Sequence, residues 1–274
     1  MKHTEWKTAI STANTSVEFL KELAANEISA IELSVSEGEY MNIDWEAVGA
    51  NAGEAGVELW SYHLPFGDSV DISAADESVR EAAVSRHIEL IGKACAIGIK
   101  RFIIHASYEP IADDERESRM ANACRSLKEH AEYAEPFGAV ICVEDLPRSC
   151  LGHNIAEMKR LVSADERLRV CFDVNHLLAV YKDTHRDFVG ALGEKIITVH
   201  LSDYDFVDEK HYFCGNGDIN WDELIGLLEN AGYNGPFMYE GGFKPHRIHT
   251  EVPFGRIQDA RERHLKIREF TGKK

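Results

Sequence analysis

Apolar residues along this chain come in eight short bursts, each followed by a longer stretch in which they recur every three or four positions. The bursts are WKTAIS (6–11), ISAIELSV (28–35), VELWSYHLPF (57–66), KRFIIHAS (100–107), AVICVEDLP (139–147), LRVCFDVNHL (168–177), KIITVHLSD (195–203) and GPFMYEGG (235–242). Runs of this length, rich in Val, Ile, Phe and Cys, predict buried strands. The segments between them predict helices. TSVEFLKELAA opens on Thr15 or Ser16 as a cap and keeps Val17, Leu20 and Leu23 on one face. ADESVREAAVSRHIELIGKACAIG ends at Gly98, and ADDERESRMANACRSLKEHAEYAEPFG ends at Gly138 after an acidic first turn. NWDELIGLLENAGYNG supplies a helix between the seventh and eighth bursts.

Strands alternating with helices imply parallel pairing through right-handed crossovers. Eight units in 274 residues give about 34 residues each, the size of one βα unit with its loops. The pattern predicts an α/β fold, a single (β/α)8 TIM barrel over residues 1–274, with its site at the C-terminal ends of the strands. No G-x-G-x-x-G follows the first strand, which argues against an open dinucleotide-binding sheet. The final stretch ARERHLKIREFTGKK reads as an amphipathic helix with a Lys-rich tail.

Composition narrows the class. With 30 Lys and Arg against 47 Asp and Glu, the net charge of −17 opposes polyanions, and no basic cluster offsets it. No nucleic-acid partner is expected. No apolar run approaches the roughly 20 residues needed to span a bilayer, and MKHTEWKTAI lacks the apolar core of a secretory signal, so a cytoplasmic location with no membrane association is expected. The six cysteines form no C-x-x-C pair; Cys142 and Cys171, two residues before carboxylates, read as small core residues.

Candidate chemistry lies at the strand ends. The third to eighth bursts end on His63, His105, Glu144, Asp173, His200 and Glu240. Catalytic residues of this fold come from the C-terminal ends of several strands, so six ionisable groups face one opening. Period two places Cys142, Cys171, Thr198 and Met238 on the same side as the acidic or imidazole groups two residues later. Val143, Phe172, Val199 and Tyr239 then face the helices. Carboxylates sharing a cavity repel one another, and a divalent cation held by Glu144, Asp173, His200 and Glu240 is the simplest compensation. His63 and His105 read either as hydrogen-bonded histidines of the mouth or as contacts to substrate or a second metal. His176, in D-V-N-H, starts the loop after its strand and is placed for substrate contact. His211 lies in DEKHYFCGNGDINW, where Gly215 and Gly217 shape the loop and Asp218 or Asn220 caps the next helix; it faces either the site or the loop itself.

VEDLP, FDVNH, VHLSD followed by GNGDINW, and FMYEGG together resemble the xylose isomerase-like TIM barrel superfamily. More narrowly the chain is similar to the sugar phosphate isomerase/epimerase group, which includes ketose 3-epimerases and inosose dehydratases. The resemblance covers nearly the whole chain and centres on the ordered quartet Glu144, Asp173, His200 and Glu240. It implies one divalent metal ion on those four residues, Glu144 and Glu240 as the acid/base pair, and His176 as a substrate-orienting group. Three carboxylates and one imidazole suit Mn²⁺, with Zn²⁺, Co²⁺ or Mg²⁺ as alternatives. The implied partner is a small-molecule sugar or sugar phosphate, and barrels of this group frequently pair as homodimers. One position departs from the pattern. Ketose 3-epimerases carry an arginine six residues after the matching histidine, where this chain has Phe206. Lys210 or His211 is the candidate replacement, and isomerases, phosphosugar epimerases and inosose-type dehydratases stay open.

An alternative within the superfamily is an endonuclease IV-like multi-zinc phosphodiesterase. His63, His105, Asp173 with His176, and Glu209 with His211 imitate its histidine and acid pairs, although Glu209 stands where that pattern has Asp. A third alternative is a barrel that binds metal or sugar without turnover.

Overall fold

The computed structural model describes residues 6–240 except 37, 213, 215 and 216. Eight parallel strands carry out the predicted alternation: β1 (Thr8–Thr12), β2 (Ile28–Leu33), β3 (Glu58–His63), β4 (Arg101–His105), β5 (Val140–Glu144), β6 (Arg169–Asp173), β7 (Ile196–His200) and β8 (Phe237–Tyr239). Seven α-helices lie between them: α1 (Val17–Ala25), α2 (Trp45–Ala55), α3 (Glu77–Ala96), α4 (Arg116–Ala134), α5 (Ile155–Val162), α6 (His185–Leu192) and α7 (Trp221–Asn230). Neighbouring strands pair in chain order and β1 pairs with β8. The remaining gap closes just beyond β7, where the Leu201 amide donates to the Met238 carbonyl (2.8 Å) and the Glu240 amide donates to Leu201 (3.0 Å). The sheet is therefore a (β/α)8 barrel. Residues 241–274, including the predicted terminal helix, lie outside the described residues. No helix among the described residues is long and apolar enough to cross a membrane.

Helix ends follow the local chemistry. Asp44, Asp76, Asn154, Thr184 and Asn220 cap α2, α3, α5, α6 and α7 by accepting a backbone amide of the first turn. Asn220, rather than Asp218, is thus the cap before α7. Ser16 takes the N-cap position of α1 without a side-chain bond. The long fourth-unit helix stops at Ala134, tightens into a 3₁₀ turn containing Pro136, and ends at Gly138 with φ +61°.

The two sides of each strand separate into two cores, as period two requires. Val143, Phe172, Val199 and Tyr239 pack with helix residues such as Leu127, Leu161 and Leu228 in the outer core. The barrel interior is filled by Ala9, Ala30 and Met238, and by Ile103, Cys142 and Cys171. Both cysteines are buried free thiols, matching their reading as core residues. The alternation slips once on β3. Ile31 pairs with Leu59 and Glu32 with Ser61, so Trp60 is an extra, bulged residue. Leu59 joins the outer core, Trp60 packs against the interior group, and the Arg101 guanidinium lies over its ring at 3.4 Å. Beyond the bulge Ser61 and His63 both face inward.

Outside the barrel, His87 of α3 and His130 of α4 meet with ring centroids 5.4 Å apart. His87 Nε2 donates to the Pro65 carbonyl (2.9 Å) and His130 Nδ1 to the Ser126 carbonyl (2.6 Å), while the opposite nitrogens have no hydrogen-bond partner. Burial pushes His87 down to about 3 and His130 down to about 4. The unfolded chain takes up these protons near pH 6.5, whereas the folded protein refuses them until far lower pH. Stability owed to the neutral pair is therefore complete above about pH 6.5 and is lost as pH falls from there toward 4. His130→Gln should reduce the slope of unfolding free energy against pH by close to one proton between pH 6 and 5, measured by urea denaturation. Identical slopes in parent and variant would contradict this account of the pair.

Candidate metal centre and cavity

Strand register brings the strand-end groups together. His105 lies beside Glu144 across β4–β5, and Asp173 lies beside His200 across β6–β7. His200 is fully buried, with Nδ1 3.0 Å from Glu144 Oε1, 3.1 Å from Glu240 Oε2 and 4.0 Å from Asp173 Oδ2. One ligand atom from each of Glu144, Asp173, His200 and Glu240 falls within 4.8 Å of the others. Glu144 Oε2, Asp173 Oδ2 and Glu240 Oε2 are buried without an aligned hydrogen-bond donor. Orphaned carboxylate oxygens around one point form a donor set that fits a divalent cation.

The flanking histidines converge on the same centre. His63 Nδ1 faces the Leu64 carbonyl (2.9 Å), and a carbonyl can only accept, so Nδ1 carries the proton and Nε2 is left toward Glu144 Oε2 at 3.2 Å. His105 Nε2 reaches the same oxygen at 3.2 Å. His176 Nδ1 donates to the Asp145 carbonyl (2.7 Å), turning Nε2 toward Asp173 Oδ2 at 3.4 Å. His211 Nε2 meets Glu209 Oε1 at 2.7 Å. Three further sets of ligand atoms therefore lie within 4.8 Å: His63–His105–Glu144 and Asp173–His176–His211, each sharing a carboxylate with the quartet, and Glu144–Cys171–His200, which adds a buried thiol from the layer below. All eight strand-end and loop residues singled out in the sequence belong to one cluster.

Electrostatics divide the carboxylates. Burial alone would raise Glu144, but the imidazoles of His200, His105 and His63 hold it well below the usual carboxylate range. Glu240 is likewise held down by His200 against the effect of burial. Asp173 goes the other way: burial pushes it up, the charges of Glu240 and Glu144 add to this, and His176 and His211 offset it only in part. Its backbone amide is fixed by Asp145 Oδ1 (2.9 Å).

The centre opens into a cavity of about 200 Å³, with Glu144, Glu240, His63, His105, His176 and His211 on its wall. Phe66, 44% exposed, stacks on His105 with ring centroids 4.2 Å apart and gives the cavity an apolar side. Arg148 also lines it, in a left-handed backbone conformation (φ +52°). Its guanidinium holds Glu109 of the β4 loop (2.8 Å), Asp208 (3.1 Å) and Glu209 (2.9 Å) of the β7 loop, tying three loops across the mouth. Phe206, at the departing position, packs on Tyr204 and His185 and does not line the cavity. Of its two candidate replacements, His211 lines the cavity and Lys210 does not.

Three contributors were not singled out from the sequence. Nothing in the sequence around Arg148 distinguishes it from a solvated surface charge. Glu32 and Ser61 lie below the strand ends, where an acid in the apolar run ISAIELSV was the available signal. Glu209 entered only through the nuclease-like pattern.

The sequence model of the family described as xylose isomerase-like TIM barrel matches residues 20–259. An uncharacterized protein of Methanocaldococcus jannaschii, MJ1311, is 29% identical over 186 residues, 65% of this chain and 62% of that protein. The chain thus spans less than two thirds of the length of that relative. Among solved structures, a D-tagatose 3-epimerase-like protein superposes with a TM-score of 0.78 at 22% identity, covering 96% of this chain and 98% of that one. A D-psicose 3-epimerase determined in the presence of D-fructose gives 0.75 at 17% identity, covering 96% and 95%. At these identities the likeness establishes the shared fold.

The crowding of Asp173 makes a direct prediction for the metal-free protein. A carboxylate whose folded pKa is raised destabilises the fold at pH above that value, so Asp173→Asn should remove the penalty. In chelator at pH 8 the variant should be more stable than the parent by about 1–3 kcal/mol in chemical denaturation. A less stable variant would show that the acids are already compensated without a cation.

Proposed function

The chain belongs to the xylose isomerase-like TIM barrel family, and from that premise we propose that it is a metal-dependent sugar or polyol isomerase or epimerase. The observation that carries this reading is the pair Glu144 and Glu240, 3.0 and 3.1 Å from the same nitrogen of His200 and both on the wall of the cavity. Glu144, Asp173, His200 and Glu240 would hold one divalent ion, with Mn²⁺ the best match to three carboxylates and one imidazole. When bound there, such an ion supplies Lewis acidity toward a substrate carbonyl.

The chain's own groups do the remaining work. One of Glu144 and Glu240, held in the ionised form, would take a proton from the carbon beside that carbonyl, and the other, having taken up a proton from solvent, would return one from the other side. His176 and His211 orient substrate hydroxyls from the loops after β6 and β7, and Phe66 covers an apolar face of the sugar. Arg148, the one Lys or Arg on the cavity wall among the described residues, is already engaged by three acids. That favours a substrate held through hydroxyls over one held through a phosphate. The structural neighbours named for D-tagatose and D-psicose 3-epimerisation support a ketose as the first compound to test.

A second reading, the multi-zinc phosphodiesterase, is favoured by two of the additional ligand sets, His63–His105–Glu144 and Asp173–His176–His211. The charge of −17 and the acids Glu109, Asp208 and Glu209 at the mouth weigh against a polyanionic substrate. Nicking of abasic DNA by zinc-loaded protein would bring this reading forward.

The test is solvent deuterium uptake by ketohexoses incubated with Mn²⁺-loaded protein, read by NMR at the carbons flanking the carbonyl. The parent protein should exchange one of them, and Glu240→Gln should slow that exchange by about 10²–10⁴-fold while keeping the fold. Exchange undiminished in the variant would remove Glu240 as the base.

A further inference from the structure

Glu32 of β2 is fully buried inside the barrel, level with Ser61 and two residues below His63 in the β3 register. Its neighbours along the interior are small or apolar, including Ala9, Ala30 and Met238. A carboxylate in such a place costs several kcal/mol unless specific partners hold it. Two do. Ser61 Oγ donates to Oε2 at 2.7 Å, and Oε1 lies 3.0 Å from His200 Nε2. The two atoms face each other without an aligned hydrogen bond, and neither is hydrogen-bonded to any other described group.

His200 is thus gripped from both ends of its ring. Nδ1 faces Glu144 and Glu240, and Nε2 faces Glu32. A neutral imidazole offers a lone pair from one nitrogen only when the other carries the proton. The aligned hydrogen bond of the ring is Nδ1 to Glu144 Oε1 (3.0 Å), and a proton kept there would close that nitrogen to a cation. An acceptor beneath Nε2 favours the tautomer that leaves Nδ1 free.

We propose that Glu32 is a positioning residue of the metal centre: held by Ser61, it accepts the Nε2 proton of His200 and so presents the Nδ1 lone pair to the cation. This rests on the reading of the quartet as a cation site. A carboxylate behind a ligating histidine fixes both its tautomer and its ring orientation, and loss of such a partner typically weakens metal binding 10–100-fold. Glu32 touches neither substrate nor cation, so its effect runs entirely through His200.

The experiment measures Zn²⁺ and Mn²⁺ affinity by competition with a chromophoric chelator, alongside the melting temperature of the metal-free protein. Glu32→Ala should weaken the Kd for Zn²⁺ about 10–100-fold. Glu32→Gln, which keeps an acceptor for Nε2–H, should recover most of that loss. Should Glu32→Ala fail to fold, Ser61→Ala frees the Glu32 carboxylate without removing it and should weaken binding several-fold. Nitrogen-resolved NMR of the zinc-loaded parent should show the His200 proton on Nε2. A purely structural role would lower the melting temperature and leave Kd unchanged. Glu32→Ala protein that binds Zn²⁺ within twofold of the parent, or a His200 proton on Nδ1 in the loaded protein, would overturn the proposal for Glu32 alone. A parent protein that binds no divalent cation would overturn the cation reading and this inference with it.

Discussion

Like charges at the mouth of the barrel set the terms for everything around them. Glu144, Asp173 and Glu240 arrive from three strands because parallel register leaves them no other place to go. One oxygen from each lies within 4.8 Å of the others and of a His200 nitrogen, and each carboxylate has a buried oxygen without a hydrogen-bond donor. Water screens charges poorly at this depth, so compensation has to come largely from positive partners. Histidines supply part of it, and the lowered Glu144 and raised Asp173 show how unevenly that help is distributed. An ion with two charges would satisfy the oxygens that the imidazoles leave without a donor.

Around this centre the chain spends backbone strain and polar burial to hold geometry. Arg148, Phe206 and His211 all adopt left-handed conformations in the loops of the mouth. Asp203, fully buried, accepts from the Ile219 amide (3.2 Å) and from Trp221 Nε1 (2.9 Å), pinning both ends of the segment that carries Glu209 and His211. Gly217 is required there, since a Cβ would come within 2.3 Å of Asp203 Oδ1 and 2.4 Å of the Tyr204 carbonyl. The barrel supplies rigidity from below and these loops supply shape from above, which is the division of labour the fold permits.

Strand positions and the cluster were legible in the sequence because both follow from a period of two. Apolar bursts mark the strands, and the last inward residue of each must reach the mouth, so the strand-end groups from His63 to Glu240 could be assigned before any coordinates. The bulge at Trp60 was not legible, since one inserted residue leaves the apolar pattern of VELWSYHLPF intact. Glu32 escaped for a related reason: it sits one layer below the strand ends, where inspection of terminal residues does not look. Arg148 and Glu209 depend on how three loops fold against each other, and loop conformation has no periodicity to read. The substitution of Phe206 for arginine was visible as a departure, but only its packing on Tyr204 and His185 shows that the position no longer faces the cavity.

The most direct test is to count metal per chain by elemental analysis of the purified protein, beside a Glu144→Gln/Asp173→Asn double variant. The account predicts close to one divalent ion in the parent and none in the variant. Two or three zinc ions per chain would shift the chemistry to the overlapping ligand sets built on Glu144 and Asp173. A parent that carries no metal and gains none on incubation with Mn²⁺, Co²⁺ or Zn²⁺ would contradict the central claim.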